Sequence, residues 1–429
     1  MEKSKFGTDG IRGIYGKDLT EEVARRLGSA LGRQGRVLIG RDNRPSSPTL
    51  LQAVAQGVRS VGGDCSAVGL TTTPALYYLL TQSDFTYAVM ITASHNPPEH
   101  NGLKVFTKRG KPSAEEREAI EQAMREETLP STHLPLLREE PERLGIYRRY
   151  LRENIGSLEG LTAVVDFAGG AAYALKGLLG ALGAHVIPLN LRKNGDRINE
   201  GCGALHPETC RKETVRSGAD IGFALDGDGD RIIAIDRDGT VLDGDRILYL
   251  LACRMKARKA LARDRVALTV MSNSGVLRSL SERGITALSC AVGDSAVAEA
   301  MREERLNLGG EQSGHVILGD LLMTGDGLLV GAALLRSIRD DGPLSLTPPP
   351  HIYPQVTLNV AVADKNVAHR PDLQAIAAEI KEDIREGRVL LRASGTEELV
   401  RIMVEHPDER RATVAAERLR REVLRHASY

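Results

Sequence analysis

The sequence predicts several α/β domains in series, with parallel or mixed sheets covered by helices, and a smaller α+β module at the C-terminal end. Three observations carry this expectation. Short apolar runs ending in polar, glycine-containing loops alternate with helix-patterned stretches, the order that builds sheets sandwiched by helices. The pattern restarts more than once over 429 residues, too many for one hydrophobic core, so three or four domains of about 100–150 residues are expected. The last quarter opens on "RDDGPLSLTPPPHIYPQ", a proline-rich connector of the semi-rigid kind.

In chain order, the strand-like runs are "RVLIGRD" (36–42), "YAVMITAS" (87–94), "TAVVDFAGG" (162–170), "ADIGFALDGDGD" (219–230), "RVALTVMSNS" (265–274) and "LNLGGEQSG" (306–314). "LTEEVARRLGSALGRQG" represents the helices between them. Thr20 suits its N-cap, Glu21 and Glu22 favour its first turn, and Val23, Leu27, Ala30 and Leu31 share one face. "DRDG" at 236–239 reads as a hairpin turn. Beyond the connector, "VTLNVAVAD" and "RVLLRASGTEELVRIMVE" are strand-like, the latter broken by a Ser-Gly-Thr turn, and a charged helix, "RRATVAAERLRREVLRH", closes the chain. Its basic residues read as a solvated face with Glu–Arg pairs. This module of about 80 residues sits on its own linker and could move relative to the rest.

Charge balances, with 57 Lys+Arg against 57 Asp+Glu, and aromatics make up only 3%. A dedicated nucleic-acid or membrane-surface binder is therefore not expected. Cys65, Cys202, Cys210, Cys253 and Cys290 form no CxxC pair, which suits reduced thiols in a cytoplasmic protein and not a disulfide framework or a zinc site. No signal-peptide-like segment and no apolar run of membrane-spanning length is found.

Two loops carry most of the chemical signal. In "MITASHNPPEH" a buried strand stops at Ser94, beside His95, before two prolines force a turn. In "FALDGDGDRIIAIDRDG", Asp226, Asp228 and Asp230 alternate with glycines directly after an apolar strand. Three adjacent anions need a cation, and an all-oxygen set without His or Cys selects a hard one, Mg²⁺ before Zn²⁺. A calcium loop of the EF-hand kind fails, because its sixth and twelfth positions would be Arg231 and Arg237. "GGEQSGH" offers Glu311 and Ser313 to a polyhydroxyl ligand and His315 for proton transfer. "RASGTEELVR" brings Arg392, Ser394, Gly395, Thr396 and Arg401 into a turn suited to a phosphate dianion. Arg12 in "FGTDGIRG" and Lys104 in "NGLKVF" add cations. Phosphoryl transfer uses such an inventory, since its catalysis is mostly positioning and charge neutralisation.

These motifs, in this order, resemble the α-D-phosphohexomutase family over the whole chain, and within it the bacterial-type phosphoglucosamine mutases. The resemblance implies three α/β domains and a smaller C-terminal α+β domain, heart-shaped around a central cleft, with spans 1–150, 151–248, 249–345 and 346–429. It implies that Ser94 is a phosphoserine and that Asp226, Asp228 and Asp230, with a phosphoserine oxygen, hold one Mg²⁺. Arg12, His95, Lys104 and Arg231 would surround the transferring phosphoryl, with Lys104 and His315 as general acid and base. Glu311 and Ser313 would contact sugar hydroxyls, and Arg392, Ser394, Gly395, Thr396 and Arg401 would clamp the distal phosphate. The implied reaction interconverts glucosamine 6-phosphate and glucosamine 1-phosphate through glucosamine 1,6-bisphosphate, feeding amino-sugar nucleotide and cell-wall precursor synthesis in the cytoplasm; a homodimer is the implied assembly. Three places depart from the family pattern: Ser295 where Arg is usual, Glu398 where Pro is usual, and "CGALHP" (202–207) for "CGSTHP". Two other readings stand beside this one: a phosphatase with Asp226 as nucleophile, and a catalytically silent sugar-phosphate sensor. A phosphomannomutase or phosphoglucomutase of the same family is a third.

Overall fold

The run Tyr87–Ile91 lies in the middle of a sheet, buried on both faces, as an unbroken apolar strand must be. The structure is a computed structural model that describes residues 6–7, 10–126, 136–394 and 398–427. Four sheets form among the described residues, and contacts gather the chain into two compact units: residues 1–270 with 288–348, and residues 271–287 with 349–429.

In the first unit, the first sheet runs in the order Ile11–Ile14, His100–Thr107, Tyr87–Ile91, Val37–Arg41, Cys65–Leu70, Arg138–Glu139. Its outer two strands beside Tyr87–Ile91 pair antiparallel, and the remainder run parallel. The helix Glu21–Gly32 starts where the sequence places it, with Thr20 Oγ1 accepting from Val23 N and two acids in the first turn. Leu27, Ala30 and Leu31 are fully buried, while Val23 packs at the edge of the core.

A second sheet has the order Val241–Leu242, Ile232–Asp236, Ile221–Leu225, Thr162–Asp166, His185–Leu189. Its parallel strands give way to antiparallel ones at Ile221–Leu225, so the loop after Leu225 leaves the end of the central strand, between two pairing modes. The "DRDG" segment makes the expected turn, with Gly239 N donating to Asp236 O at 2.9 Å and Gly239 at φ +89°. A third sheet, Thr286–Cys290, Arg265–Thr269, Leu308–Gly310, Val316–Leu318, delivers the segment that follows Gly310.

The second unit holds an antiparallel sheet, Gln355–Ala361, Leu399–Glu405, Arg388–Ala393, covered by the helices Pro371–Ile384 and Glu409–Ala427. The closing helix carries the expected pairs, Arg420–Glu417 and Arg425–Glu422, and ties to the neighbouring helix through Arg418 with Glu379 and Asp383. The helix Ser274–Glu282 also belongs here. Ser274 N donates to Glu405, and Asn273 exchanges hydrogen bonds with the Tyr353 backbone. None of the five cysteines is in a disulfide, and among the described residues no helix is long and apolar enough to cross a membrane.

Candidate active site

Where Tyr87–Ile91 ends, Thr92 N is still paired with Gly102 O, and Thr92 Oγ1 turns to accept from Ser94 N at 3.0 Å. Ser94 then adopts φ +51°, a left-handed conformation that costs a residue with a Cβ about 1–2 kcal/mol. Arg44 holds the loop in that shape. Its guanidinium is fully buried, paired with Asp42 at 2.9 Å. It donates to four main-chain carbonyls of the serine loop: Ser94 and Asn96 at 2.9 and 2.8 Å, His100 at 3.0 Å, and Pro97. Strain at a polar residue so firmly overdetermined is the mark of a functional position.

The Ser94 hydroxyl is 2.7 Å from Asp226 Oδ2 and 3.3 Å from His95 Nδ1. Asp226 closes the strand Ile221–Leu225, and its other oxygen accepts from Gly229 N and Arg231 N, both at 3.1 Å, which curls the loop back on itself. Gly227 lies flat against the serine loop; a methyl there would meet Ser94 O at 2.5 Å. The loop is also tied to the first sheet, Thr73 N donating to Asp228 O at 3.0 Å and the Thr73 hydroxyl to the Asp228 carboxylate.

Asp226, Asp228 and Asp230 are all buried, and each can place one oxygen within 4.8 Å of the others. Lys104, itself 4% exposed, reaches Asp228 at 2.6 Å and Asp230 at 3.2 Å. Arg231 adds a second cation, its Nε 3.9 Å from Asp230 Oδ1. Burial, with Asp230 and Asp228 adjacent, raises the Asp226 carboxyl well above its ordinary range. Burial and Asp230 push Asp228 upward too, but Lys104 and the Thr73 hydroxyl outweigh them and leave it lowered. Asp230 is lowered as well: burial opposes ionisation, and the nearby positive charge, Lys104 foremost and then Arg231, prevails. Asp228 Oδ1 and Asp230 Oδ1 are buried with no hydrogen-bond partner. Buried polar atoms are seldom left so, and a compact cluster of hard oxygen donors with two of its oxygens unpartnered fits a divalent metal such as Mg²⁺.

Burial, then Arg231 and Arg12, push the His95 imidazole down to about 4, so it is neutral at physiological pH. Burial opposes the Arg231 charge, yet the three aspartates hold its guanidinium above the ordinary value. His315 is buried, and its Nε2 accepts from Gly325 N at 2.9 Å. With Nε2 accepting there, the ring proton sits on Nδ1, which faces Asp230 Oδ2 at 3.9 Å. Gly325 belongs to a short Gly-Asp-Gly junction in which Gly327 N donates to Gly229 O at 3.0 Å and Asp326 accepts from the Tyr147 hydroxyl.

Glu311 is half-buried; Oε1 accepts from Gly293 N at 3.0 Å, while Ser313 is exposed at the turn. Ser295 turns its N–H to Asp294 Oδ1 at 2.7 Å, and Lys111, just after the strand His100–Thr107, pairs with the same carboxylate at 2.7 Å. A cation thus meets Asp294 even though residue 295 is not one.

In the second unit, Arg392 and Arg401 are directly opposed across the strand pair. Burial and the Arg401 charge lower the Arg392 guanidinium. Like charges so placed repel, and an anion between them would relieve that. Ser394 is buried, its N–H on Leu399 O at 2.9 Å; Gly395 and Thr396 lie outside the described residues. Glu398 pairs with Lys365 at 3.3 Å, so its charge has a partner within its own unit.

The structure thus brings Ser94, His95, Lys104, Asp226, Asp228, Asp230, Arg231 and His315 together, with Arg12 close enough for its charge to act on His95. Arg44, Thr73, Lys111, Asn199 and Asp294 were not singled out from sequence. Arg44 had a signal, since "GRDNRP" ends a parallel strand on the edge where α/β sheets carry function.

Comparison with known proteins agrees with this geometry. Residues 3–131, 243–347 and 358–422 match the phosphoglucomutase/phosphomannomutase profiles for the first and third alpha/beta/alpha domains and the C-terminal domain. A phosphoglucosamine mutase of Mycobacterium sp. (strain KMS) is 41% identical, covering 96% of this chain and 97% of its own. A crystal structure of a phosphoglucomutase/phosphomannomutase family protein from Burkholderia thailandensis superposes with TM-score 0.81 at 27% identity over 99% of this chain and 97% of that one. Aspergillus fumigatus N-acetylphosphoglucosamine mutase, solved with GlcNAc-6P and magnesium, shares the fold at TM-score 0.71 and 18% identity, covering 99% of this chain and 96% of that one. By sequence, by fold and by the meeting of a strained serine with a carboxylate triad, the chain belongs to the phosphoglucomutase/phosphomannomutase, or α-D-phosphohexomutase, family.

Proposed function

We propose that this chain is a phosphoglucosamine mutase that interconverts glucosamine 6-phosphate and glucosamine 1-phosphate, with Ser94 as phosphoryl carrier. The observation that carries the reading is the 2.7 Å approach of the Ser94 hydroxyl to a buried aspartate triad with unpartnered oxygens, in a chain 41% identical over nearly its whole length to a phosphoglucosamine mutase.

Phosphoserine at position 94 gives its phosphoryl group to the free hydroxyl of the hexosamine phosphate. The sugar O–P bond forms, the Ser94 Oγ–P bond breaks, the sugar hydroxyl loses its proton and Ser94 Oγ gains one. The resulting 1,6-bisphosphate turns around and returns its other phosphoryl to Ser94 by the reverse exchange. Asp226, Asp228 and Asp230, with a phosphoryl oxygen on Ser94, would hold Mg²⁺, which supplies charge neutralisation at the transferring group when bound. Arg12 and Arg231 supply fixed positive charge beside the serine, and neutral His95 adds polar contact without further charge. Lys104 and His315 are the groups we assign to proton movement. With Nε2 engaged by Gly325, His315 acts through Nδ1. Glu311 and Ser313 are assigned to the sugar hydroxyls, and Arg392, Ser394, Gly395, Thr396 and Arg401 to the phosphate distant from the reaction. The four spans 1–150, 151–248, 249–345 and 346–429 then carry the serine, the metal loop, the sugar loop and the clamp in turn.

Peptide mapping of the purified protein tests the carrier, and an assay with Mg²⁺ and a trace of bisphosphate tests the reaction. The expected result is one phosphoryl group on Ser94 and turnover of glucosamine 6-phosphate ahead of glucose or mannose phosphates. Phosphate trapped on Asp226 would instead support a phosphatase, and a phosphorylated protein without turnover would leave a sensor.

A further inference from the structure

The Ser94 carbonyl is gripped from two sides. Arg44 donates to Ser94 O and Asn96 O from within the first sheet's own loops. Asn199, from the segment preceding the strand Ile221–Leu225, donates Nδ2 to the same two carbonyls at 2.9 and 3.0 Å. The position of a methyl on Gly227 is 2.5 Å from Ser94 O and 2.9 Å from Asn199 Nδ2, so the metal loop closes the remaining side. Asn199 is itself at φ +63°, and its own N–H is used on Ala168 O at 2.9 Å. Asparagine tolerates that backbone better than most residues. A loop that needed only a turn there would not need the side-chain amide aimed at another domain's backbone.

Fixing a carbonyl fixes the peptide plane that follows Ser94. With φ already set at +51°, the plane fixes the Cα–Cβ bond, and from that bond the hydroxyl reaches Asp226 Oδ2. Resting on the reading of Ser94 as phosphoryl carrier, we propose that Asn199 is a positioning residue. Its amide completes the seat of the Ser94 carbonyl, so the serine takes its transfer direction only when the loops bearing Asn199 and the aspartate triad are docked on it. Arg44 keeps the serine loop folded in either case, and Asn199 makes its aim depend on the neighbouring domain.

The test uses the full-length phosphorylated enzyme and two substitutions that tolerate the positive φ. Asn199→Asp keeps the size and turns a donor into an acceptor facing two carbonyls; Asn199→Gly keeps the backbone and removes the amide. Misplacement of a reacting group by about 1 Å costs on the order of 10²-fold, so kcat is expected to fall about 10- to 100-fold in both variants. KM and melting temperature should stay near those of the unchanged enzyme, and the ³¹P resonance of phosphorylated Ser94 should move or broaden. Wild-type kcat and an unmoved ³¹P signal in both variants would overturn the positioning role while leaving the mutase reading intact. An unchanged enzyme with neither phosphoserine nor turnover would overturn that reading first and this one with it.

Discussion

Gly227 separates two of the triad carboxylates, and replacing it with alanine gives the sharpest test of the serine–triad geometry. Its φ is not in the left-handed range, so the new methyl meets space and not backbone strain. That space is filled. The methyl would lie 2.5 Å from Ser94 O, with Asn199 Nδ2 and Ile198 Cδ1 both at 2.9 Å. Restoring an ordinary 3.4 Å contact requires the two loops to separate by about 0.9 Å. Taken along the line joining them, that movement lengthens the Ser94–Asp226 approach from 2.7 to about 3.6 Å, outside hydrogen-bonding range. A misplacement of this size lowers kcat by roughly 10²-fold, equivalent to about 2.7 kcal/mol in the barrier. Overpacking costs about 1–3 kcal/mol of stability, so the protein should still fold. Steady-state assay of Gly227→Ala, with circular dichroism as the folding control, measures both quantities. A folded variant with undiminished kcat would refute the claim that these loops must touch.

Asp228→Asn removes one anion from a triad whose metal affinity follows ligand charge, so Mg²⁺ should bind at least about tenfold more weakly by calorimetric titration; an unchanged Kd would mean that Asp228 is not a ligand. Arg401→Met should raise KM for the sugar phosphate about 10- to 100-fold, the worth of a charge-assisted hydrogen bond, with little change in kcat, because a distal contact binds ground and transition states alike. Burial raises the Asp326 carboxyl from 3.8 to about 6, even though the Tyr147 hydroxyl and two backbone N–H groups favour its charged form. The native state therefore holds that proton where the unfolded chain has lost it. Its contribution to stability is complete below pH 4 and is lost as pH rises toward about 6. Asp326→Asn keeps the cap on Leu329 N without the titration. Its stability relative to wild type should therefore rise by about 2 kcal/mol between pH 4 and 7 in urea melts, and a constant difference across that range would refute the assignment.

The strands and the chemistry-bearing loops were legible because both repeat at short range. "YAVMI" and "IGFAL" read as buried strands from their apolar continuity, and "DGDGD" as a cation site from charge alone. Asn199 was not legible, and Arg44 only through its place at a strand's end, because their meaning lies in which carbonyls they reach, 50 and more residues away. Periodicity carries no trace of such pairings. Nor did chain order show that the helix Ser274–Glu282 groups with the C-terminal sheet. That association rests on Glu405, a carboxylate buried at a strand end, accepting from the helix's first N–H and from the Ser274 hydroxyl. The Lys111–Asp294 pair was hidden for a similar reason, its partners being 183 residues apart.

The Gly325–Asp326–Gly327 junction has a consequence for anyone who would redesign substrate choice. One strip of backbone touches Gly229 beside the aspartates and His315 at the end of the "GGEQSGH" turn, and Tyr147 anchors it from behind. Neither neighbour can be remodelled without tugging on the other. Libraries aimed at a new sugar should therefore spare residues 325–327 and diversify Ser313, whose side chain is exposed.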